Sequence, residues 1–143
     1  MGTQALLLYV DADFENFDET IARDLEQLVL ALSQAPEFIG AELEYVDSTD
    51  DTACTLPEDV PIRTLGIHLQ VSDRKSNQDV QRRDLQRVRR LIEALSQYSS
   101  NRNISFESEL DGDPCGGIVG GRVSKSLQVG LIESWESSLG SDL

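Results

Sequence analysis

The sequence predicts one domain of the α+β class, because the spacing of its apolar residues changes repeatedly along the chain. Three short segments alternate apolar with polar residues, as half-buried strands do, and longer segments repeat with helical spacing. At 143 residues the chain suits a single core. We expect residues 1–143 to form that domain, with its core in 4–110, an extension in 111–139 and a frayed tail in 140–143.

The first strand and the first helix are predicted before Pro36. Ala5–Val10 is a continuous apolar run of strand length, as expected for a central strand that is covered on both faces. Asp18 can then cap a helix, and Pro36 ends it because the residue before a proline avoids helical geometry. The apolar stripe of this helix is formed by Ile21, Leu25, Leu28, Val29 and Leu32.

Two amphipathic strands are predicted next. Apolar and polar residues alternate in Ala41–Val46 and again in Thr64–Val71, so each strand should have one exposed face. Asp47–Pro61 is polar and contains two prolines, which indicates a loop. We expect the two strands to pair across this loop.

A long helix and a fourth strand complete the predicted core. The helix should begin near Ser76 or Asn77 and end near Tyr98, and an alternating strand follows at Ile104–Leu110. The apolar stripe of the helix contains Leu85, Val88, Leu91, Ile92 and Leu95. The resulting order, β-α-β-β-α-β, is that of a ferredoxin-like sheet, in which two helices cover one face.

A glycine-rich hairpin and a last helix should follow this core. Asp111–Pro114 has the composition of a turn, and Gly116–Gly121 permits a tight hairpin or bulge. Ser124 or Ser126 can cap the last helix. One side of that helix carries Leu127, Leu131, Ile132, Trp135 and Leu139.

The charge of the chain is strongly negative and unevenly distributed. The formal net charge is −14, and residues 1–60 carry fifteen Asp or Glu and one basic residue, Arg23. Seven of the twelve basic residues lie between Arg74 and Arg90. This balance argues against a surface that follows nucleic-acid phosphates or binds anionic lipid. It favours association with a protein of complementary charge.

The long helix offers a candidate partner-binding surface. At 100° per residue, five arginines fall on the half opposite the apolar stripe: Arg82, Arg83, Arg87, Arg89 and Arg90. Trp135 is a further candidate, since Trp is enriched in interfaces, although at this spacing it more often belongs to the core. The alternative is an ordinary solvated helix face, partly neutralised by Asp79, Asp84 and Glu93. Protein is favoured over nucleic acid as the partner because Tyr98 is the only aromatic residue on this helix.

Asp11 and Asp13 suggest an alternative metal site. They directly follow the first strand, where paired carboxylates can hold Mg²⁺ against a phosphate in phosphoryl-transfer enzymes. The simpler interpretation is a solvated acidic turn. Gly116–Gly121 followed by Arg122-Val123 nearly matches a phosphate-binding loop but lacks its Lys and its hydroxyl residue. We therefore expect no metal and no cofactor.

The two cysteines, Cys54 and Cys115, fit neither a redox motif nor a zinc site, and the sequence leaves open whether they pair. A dyad of Cys115 with His68 lacks a residue that would orient the histidine. No secretory segment and no apolar run long enough to span a bilayer is visible, which favours a cytoplasmic protein with reduced thiols.

The end of the chain resembles a known family. Asp111-Gly112 and the run from Gly116 to Trp135 (GGIVGGRVSKSLQVGLIESW) are similar to the end of the effector-associated constant component domains of prokaryotic conflict systems. The resemblance implies a non-catalytic adaptor in a defence system. Its neighbour would be a caspase-like or trypsin-like protease or a signalling NTPase.

These observations predict a non-enzymatic protein-interaction or adaptor module. One alternative is a metal-dependent phosphoryl-transfer enzyme that uses Asp11 and Asp13. Another is an acidic inhibitor or immunity protein for a basic toxin. A homodimer is a further expectation, because an exposed edge strand can pair with its twin.

Overall fold

The computed structural model describes residues 3–10, 19–50, 55–56, 62–73 and 75–140. Within them the chain forms one six-stranded sheet in which all neighbouring strands are antiparallel. The strands are β1 (Thr3–Val10), β2 (Leu43–Asp50), β3 (Ile62–Ser72), β4 (Phe106–Leu110), β5 (Asp113–Val119) and β6 (Arg122–Val123). Their order across the sheet is β2-β3-β1-β4-β5-β6. The predicted α+β class is confirmed.

The helices agree with the predicted hydrophobic stripes. The first is α1 (Glu19–Ser33), and the connection to β2 contains a short 3₁₀ turn at Pro36–Phe38. The predicted cap of α1, Asp18, lies outside the described residues. The long helix, α2 (Gln78–Arg102), begins at the expected place and continues for one turn beyond the predicted end.

Both ends of α2 have local caps that explain its limits. The side chain of Asn77 accepts a hydrogen bond from the backbone N–H of Asp79 at 2.7 Å, and such a cap contributes about 1 kcal/mol. At the other end, Asn103 adopts a left-handed conformation with φ 55°, a geometry that ends a helix and that Asn tolerates better than most residues.

The chain ends in a C-terminal helical segment with an irregular centre. It consists of α3 (Lys125–Leu127), a π-helical stretch at Gln128–Glu133 and α4 (Ser134–Gly140). Ser124 caps its start, because its side-chain oxygen accepts from the N–H of Leu127 at 3.2 Å. Of the predicted tail 140–143, the part after Gly140 lies outside the described residues.

The helices share one core against a single face of the sheet. β1 buries Leu6, Leu8 and Val10, and β3 buries Leu65, Ile67, Leu69 and Val71. The helical residues of the same core are Ile21, Ala22, Leu25, Val29 and Leu32 from α1, Leu85, Val88, Leu91, Ile92 and Leu95 from α2, and Leu127, Leu131, Ile132, Trp135 and Leu139 from the C-terminal helical segment. Each buried large apolar side chain contributes about 1.5–3 kcal/mol.

Three details of the predicted strands are wrong. Asp113 and Pro114 were expected in a turn, but they begin β5. Residues 47–50 were expected in a loop, but they continue β2, where Asp47 pairs with Leu65 in register. A polar edge strand is stable there because Arg63 supplies a salt bridge to Asp47 at 2.8 Å. The expectation that Ala5–Val10 is covered on both faces also fails, since Ala5 and its alternate neighbours are only partly buried.

Two further features concern membrane-spanning helices and the edge of the sheet. None of the helices within the described residues is both long and apolar enough to cross a membrane. β2 forms one edge of the sheet and pairs, in the described part of the chain, with β3 alone. The predicted homodimer through such an edge stays a prediction.

Candidate functional site

The candidate site is the face of the sheet opposite the helices, which we call the open face. Side chains of β1 alternate between the two faces, so that Leu6 and Leu8 enter the core while Ala5, Leu7 and Tyr9 lie on the other side. The buried residues of the helices belong to the same core as Leu6 and Leu8, on the opposite face of the sheet. No helix among the described residues therefore packs on the side of Ala5, Leu7 and Tyr9.

The strand register arranges the open face in cross-strand rows. In one row Leu7 lies between His68 of β3 and Glu109 of β4, and Glu44 of β2 follows His68. In the next row Tyr9 lies between Gly66 and Glu107. Residues facing each other in such rows are about 4.5–5.5 Å apart at Cβ. The result is an apolar centre flanked on both sides by glutamates.

Tyr9 organises the acidic side of the open face. Its hydroxyl donates to Glu107 Oε2 at 2.8 Å and lies 3.2 Å from Glu109 Oε1, so one proton is shared with two carboxylates. Burial, together with the two carboxylates, raises the pKa of Tyr9 well above its usual range. The phenol therefore stays a neutral donor, and it holds both carboxylates close together on the surface.

Gly66 is required for the centre of the open face. A Cβ at this position would lie 2.4 Å from the carbonyl oxygen of Leu8 and 2.8 Å from the Cα of Tyr9. Both are backbone atoms of the neighbouring strand and have little freedom to move. Only glycine lets β3 approach β1 this closely.

The far side of the open face is apolar and partly cationic. Val119 at the end of β5 is 65% exposed and pairs with Arg122 of β6. On the described strands the face thus carries acidic side chains near its centre and one arginine at its margin. Carboxylates beside exposed apolar groups suit a partner that is both basic and apolar.

The arginine cluster predicted on α2 is largely paired within the chain. Arg82 lies 3.6 Å from Asp79 and Arg83 lies 3.6 Å from Asp84, while Arg89 forms a salt bridge with Glu136 of α4. Among the residues described, Arg90 forms no ion pair. These four side chains remain at the surface, and their role in partner binding stays a prediction.

Arg87 is the exception, and its expected place on the exposed half of α2 is wrong. Its side chain is only 4% exposed. Nε donates to the carbonyl oxygen of Glu37 at 2.6 Å and NH2 to that of Ile39 at 2.7 Å, while NH1 donates to Asp84 at 3.2 Å. Arg87 therefore fastens α2 to the connection between α1 and β2, and it is not available to a partner.

Asp84 is the buried ion-pair partner of Arg87, whereas the sequence analysis places it on a solvated helix face. It is 3% exposed, and its second oxygen accepts from the backbone N–H of Ser72 at 2.7 Å. The signal was present in the sequence, because on a 100° wheel Asp84 falls between Leu91 and Leu95. A charged residue within an apolar stripe indicates a buried pair.

Trp135 belongs to the core. It is 2% exposed, and its indole N–H donates to Gln81 Oε1 of α2 at 3.0 Å. The indole thus joins the C-terminal helical segment to α2 in a fully buried contact. The prediction that Trp135 is a surface anchor for a partner is therefore wrong.

The remaining candidates lie partly outside the described residues. Asp11, Asp13 and Cys54 lie outside the described residues, so the alternative metal site stays a prediction. Elsewhere in the described chain no group of three His, Cys, Asp or Glu side chains is placed to hold a metal. Cys115 is a half-buried free thiol whose Sγ donates to Ser108 Oγ at 3.3 Å, and burial raises the pKa of the Cys115 thiol.

The glycines near the end of β5 serve close packing. A Cβ on Gly116 would lie 2.3 Å from Ser124 Oγ, and one on Gly121 would lie 2.7 Å from the Cβ of Ser100 in α2. Gly116 and Gly121 adopt φ +108° and +83°, values that strongly favour glycine. These contacts account for both residues without a bound phosphate.

Comparison with known proteins adds no assignment to this geometry. No protein-family model, no curated protein and no solved structure matches the chain.

Proposed function

We propose that the chain is a non-catalytic protein-interaction module that binds a basic partner protein through the open face of its sheet. The observation that carries this proposal is the composition of that face: a partly exposed apolar centre, around Leu7 and Tyr9, flanked by Glu44, Glu107 and Glu109. No catalytic constellation competes with it in the part of the chain that the structure describes.

The chemistry of the open face favours protein over other partners. Its carboxylates repel phosphates of nucleic acids and anionic lipids, as does the net charge of −14. The apolar side chains lose their contact with water when a partner covers them, which is the main favourable term in association. The carboxylates then select a basic partner and speed its approach.

The experiment is capture of partners from the native host with the immobilised protein, compared between two double variants of equal charge. Glu107→Lys/Glu109→Lys reverses charge on the open face, and Glu93→Lys/Glu133→Lys does so on exposed helical positions. We expect the first to weaken capture at least about tenfold, because like charges facing across an interface cost several kcal/mol. The second should retain capture.

Two further results decide the proposal. Capture should decrease at high salt, since exposed charges are screened within about 10 Å at 0.1 M ionic strength. With the purified partner, methyl signals of Leu7 and Val46 should shift more than those of Leu30 on α1. Equal capture by both double variants, or shifts confined to the helices, would exclude the open face.

The biological setting is a second part of the proposal and rests on the resemblance of Gly116–Trp135. The partner would be a caspase-like or trypsin-like protease or a signalling NTPase of a prokaryotic defence system. The ferredoxin-like arrangement is also proposed for the first four strands, supported by the order β2-β3-β1-β4 and their antiparallel pairing. Reconstitution with an effector encoded beside this chain tests the setting directly.

An acidic inhibitor of a basic toxin is the second candidate, and the same glutamates favour it. The two functions differ in what happens to the partner's activity. An inhibitor abolishes that activity at equimolar concentration, and the loss is reversed by Glu107→Lys/Glu109→Lys. An adaptor leaves it unchanged or raises it.

A further inference from the structure

A groove of about 420 Å³ lies on the open face, above β4 and β5. In register, Glu107 of β4 lies between Tyr9 of β1 and Gly117 of β5. Because Gly117 has no side chain, this cross-strand row ends in a gap, and the groove lies over it. Its volume is within the usual range of ligand pockets, about 300–1,000 Å³.

The floor of the groove is backbone that is held in place. The N–H of Gly117 donates to Ser124 Oγ at 3.0 Å, and its carbonyl oxygen accepts from the N–H of Ser124 at 2.8 Å. A Cβ at Gly117 would lie 2.3 Å from the carbonyl oxygen of Phe106, so no larger residue fits here without a backbone shift. The floor therefore keeps its shape, and the amide of Gly117 is not free to bind an anion.

The walls of the groove combine apolar side chains with a carboxylate. Val119, at one end, is exposed, and so is Pro114, toward the other end. Pro114 pairs with Glu109 in register, which places it on the open face as well. The side nearest β1 is formed by Tyr9 and Glu107. These walls suit a ligand whose stem is apolar and whose end is positively charged.

The two glutamates of this region have no cation beside them. Neither Glu107 nor Glu109 forms an ion pair with any described residue, and Arg122, at the margin of the open face, forms none either. Glu107 Oε2 accepts from the hydroxyl of Tyr9, and Oε1 has no donor among the described residues. Since the same hydroxyl lies 3.2 Å from Glu109 Oε1, two negative charges are held close together. A cation beside them would reduce their repulsion.

We propose that this groove receives the side chain of an arginine or a lysine from the basic partner. The aliphatic stem of that side chain lies over Gly117, between Val119 and Pro114. Its charged end donates to Glu107 Oε1 and to the carboxylate of Glu109. Apolar walls for the stem and carboxylates for the charged end satisfy both parts of such a side chain. The assignment rests on the proposed function, since it specifies which side chain of the partner the open face recognises.

The test is an NMR titration of the whole chain with blocked amino acids that carry charge only on the side chain. N-acetyl-L-argininamide and N-acetyl-L-lysinamide supply the two cations, and N-acetyl-L-citrullinamide has the shape of the first without its charge. Methylguanidinium has the guanidinium group without the stem. We expect saturable shifts of the Gly117 amide and the Val119 methyl groups with the first two probes, and binding at least about fivefold weaker with the other two. Tighter binding of the arginine probe assigns the groove to guanidinium groups, and tighter binding of the lysine probe assigns it to ammonium groups.

Two variants locate the binding. Glu107→Gln removes the charge and keeps an oxygen that accepts from Tyr9, while Val119→Ser shortens an exposed wall and leaves the core intact. Each should weaken binding of the cationic probes about three- to fivefold, as loss of an exposed ion pair or of a partly buried apolar contact does. Glu93→Gln, which removes one charge from an exposed position of α2, is the control and should bind as the wild type. It separates binding in the groove from general attraction to a net charge of −14.

The assignment is overturned if neither cationic probe gives saturable shifts at tens of millimolar. It is also overturned if the citrulline probe binds as tightly as the arginine probe, or if both Glu107→Gln and Val119→Ser bind as the wild type. Failure of the proposed function gives a different result: the cationic probes bind as expected, but the two double variants capture host proteins equally. Conversely, capture that Glu107→Lys/Glu109→Lys weakens, without any binding of the probes, leaves docking on the open face in place and excludes only the basic side chain in this groove.

Discussion

Replacing Arg87 with Met removes the buried guanidinium that joins α2 to the connection between α1 and β2. Removing one member of a buried ion pair costs about 3–5 kcal/mol, because the other charge remains buried. Here Asp84 keeps the N–H of Ser72 at 2.7 Å and a weak contact with Arg83 at 3.6 Å, which favours the lower end of that range. The backbone carbonyl of Glu37 also loses its donor, at about 1 kcal/mol.

We therefore expect Arg87→Met to reduce the free energy of unfolding by about 3–4 kcal/mol. Domains of this size have roughly 5–15 kcal/mol in total, so the variant should still fold. At about 2–4 °C per kcal/mol, the midpoint of thermal unfolding should fall by roughly 10 °C.

Urea denaturation followed by the fluorescence of Trp135, the single tryptophan of the chain and a buried one, measures this change. Arg83→Met is the matched control, with an expected loss of at most about 1 kcal/mol because the Arg83 side chain is half exposed and lies 3.6 Å from Asp84. Arg87→Lys should recover only part of the loss, since an ammonium group lacks the planar fork that reaches two carbonyls. If Arg87→Met costs no more than Arg83→Met, the buried network does not exist as described.

Three further predictions concern other parts of the fold. Gly66→Ala should destabilise the protein by about 1–3 kcal/mol in the same urea assay, because its Cβ would lie 2.4 Å from the carbonyl oxygen of Leu8. Arg63 lowers the pKa of Asp47, so the stability from this pair is present at pH 7 and is lost as the pH falls through that lowered pKa. Arg63→Gln should therefore reduce the free energy of unfolding by up to about 1 kcal/mol at pH 7 and by less at about pH 2. Because burial raises the pKa of Cys115, its thiol should react more slowly with iodoacetamide at pH 7.5 than free cysteine does.

Each of these predictions has a control in the same chain. Gly130→Ala adds a Cβ with no neighbouring atom within 4 Å and should leave stability unchanged or raise it slightly; equal losses at Gly66 and Gly130 would contradict the packing argument. A cost of Arg63→Gln that stays constant with pH would mean that the ion pair is not formed. The thiol rate is measured in a Cys54→Ser background, and a rate equal to that of free cysteine would place Cys115 at the surface.

Local patterns predicted the elements of this fold well, because each depends on residues near in sequence. The alternation of Leu65, Ile67 and Leu69 places β3 with one face in the core, and the stripe of α2 from Leu85 to Leu95 is buried as expected. The extension of β2 to Asp50 was not predictable in this way. Its polar residues are stabilised by pairing with β3 and by Arg63, and that contact depends on the tertiary structure.

The candidate site was less predictable, since it depends on which face the helices leave uncovered. The apolar run of β1 suggests burial on both sides, yet Leu7 and Tyr9 lie on the open face. The alternation in Ile104–Leu110 predicts only that Glu107 and Glu109 form the polar side of a strand. Their shared hydrogen bonds with Tyr9 require the pairing of β1 with β4. Arg87 was misplaced because its hydrogen-bonding carbonyls belong to a connection about fifty residues earlier in the chain.

The C-terminal helical segment has a consequence for biosynthesis. Because Leu127, Leu131, Ile132, Trp135 and Leu139 all enter the same core as α1 and α2, that core cannot close before this segment has been synthesised. A nascent chain that has produced only the strands β1 to β4 lacks these five side chains, so the part of the core that they cover stays exposed to solvent or to a chaperone. Chains that terminate before Lys125 should therefore be recognised as misfolded and degraded.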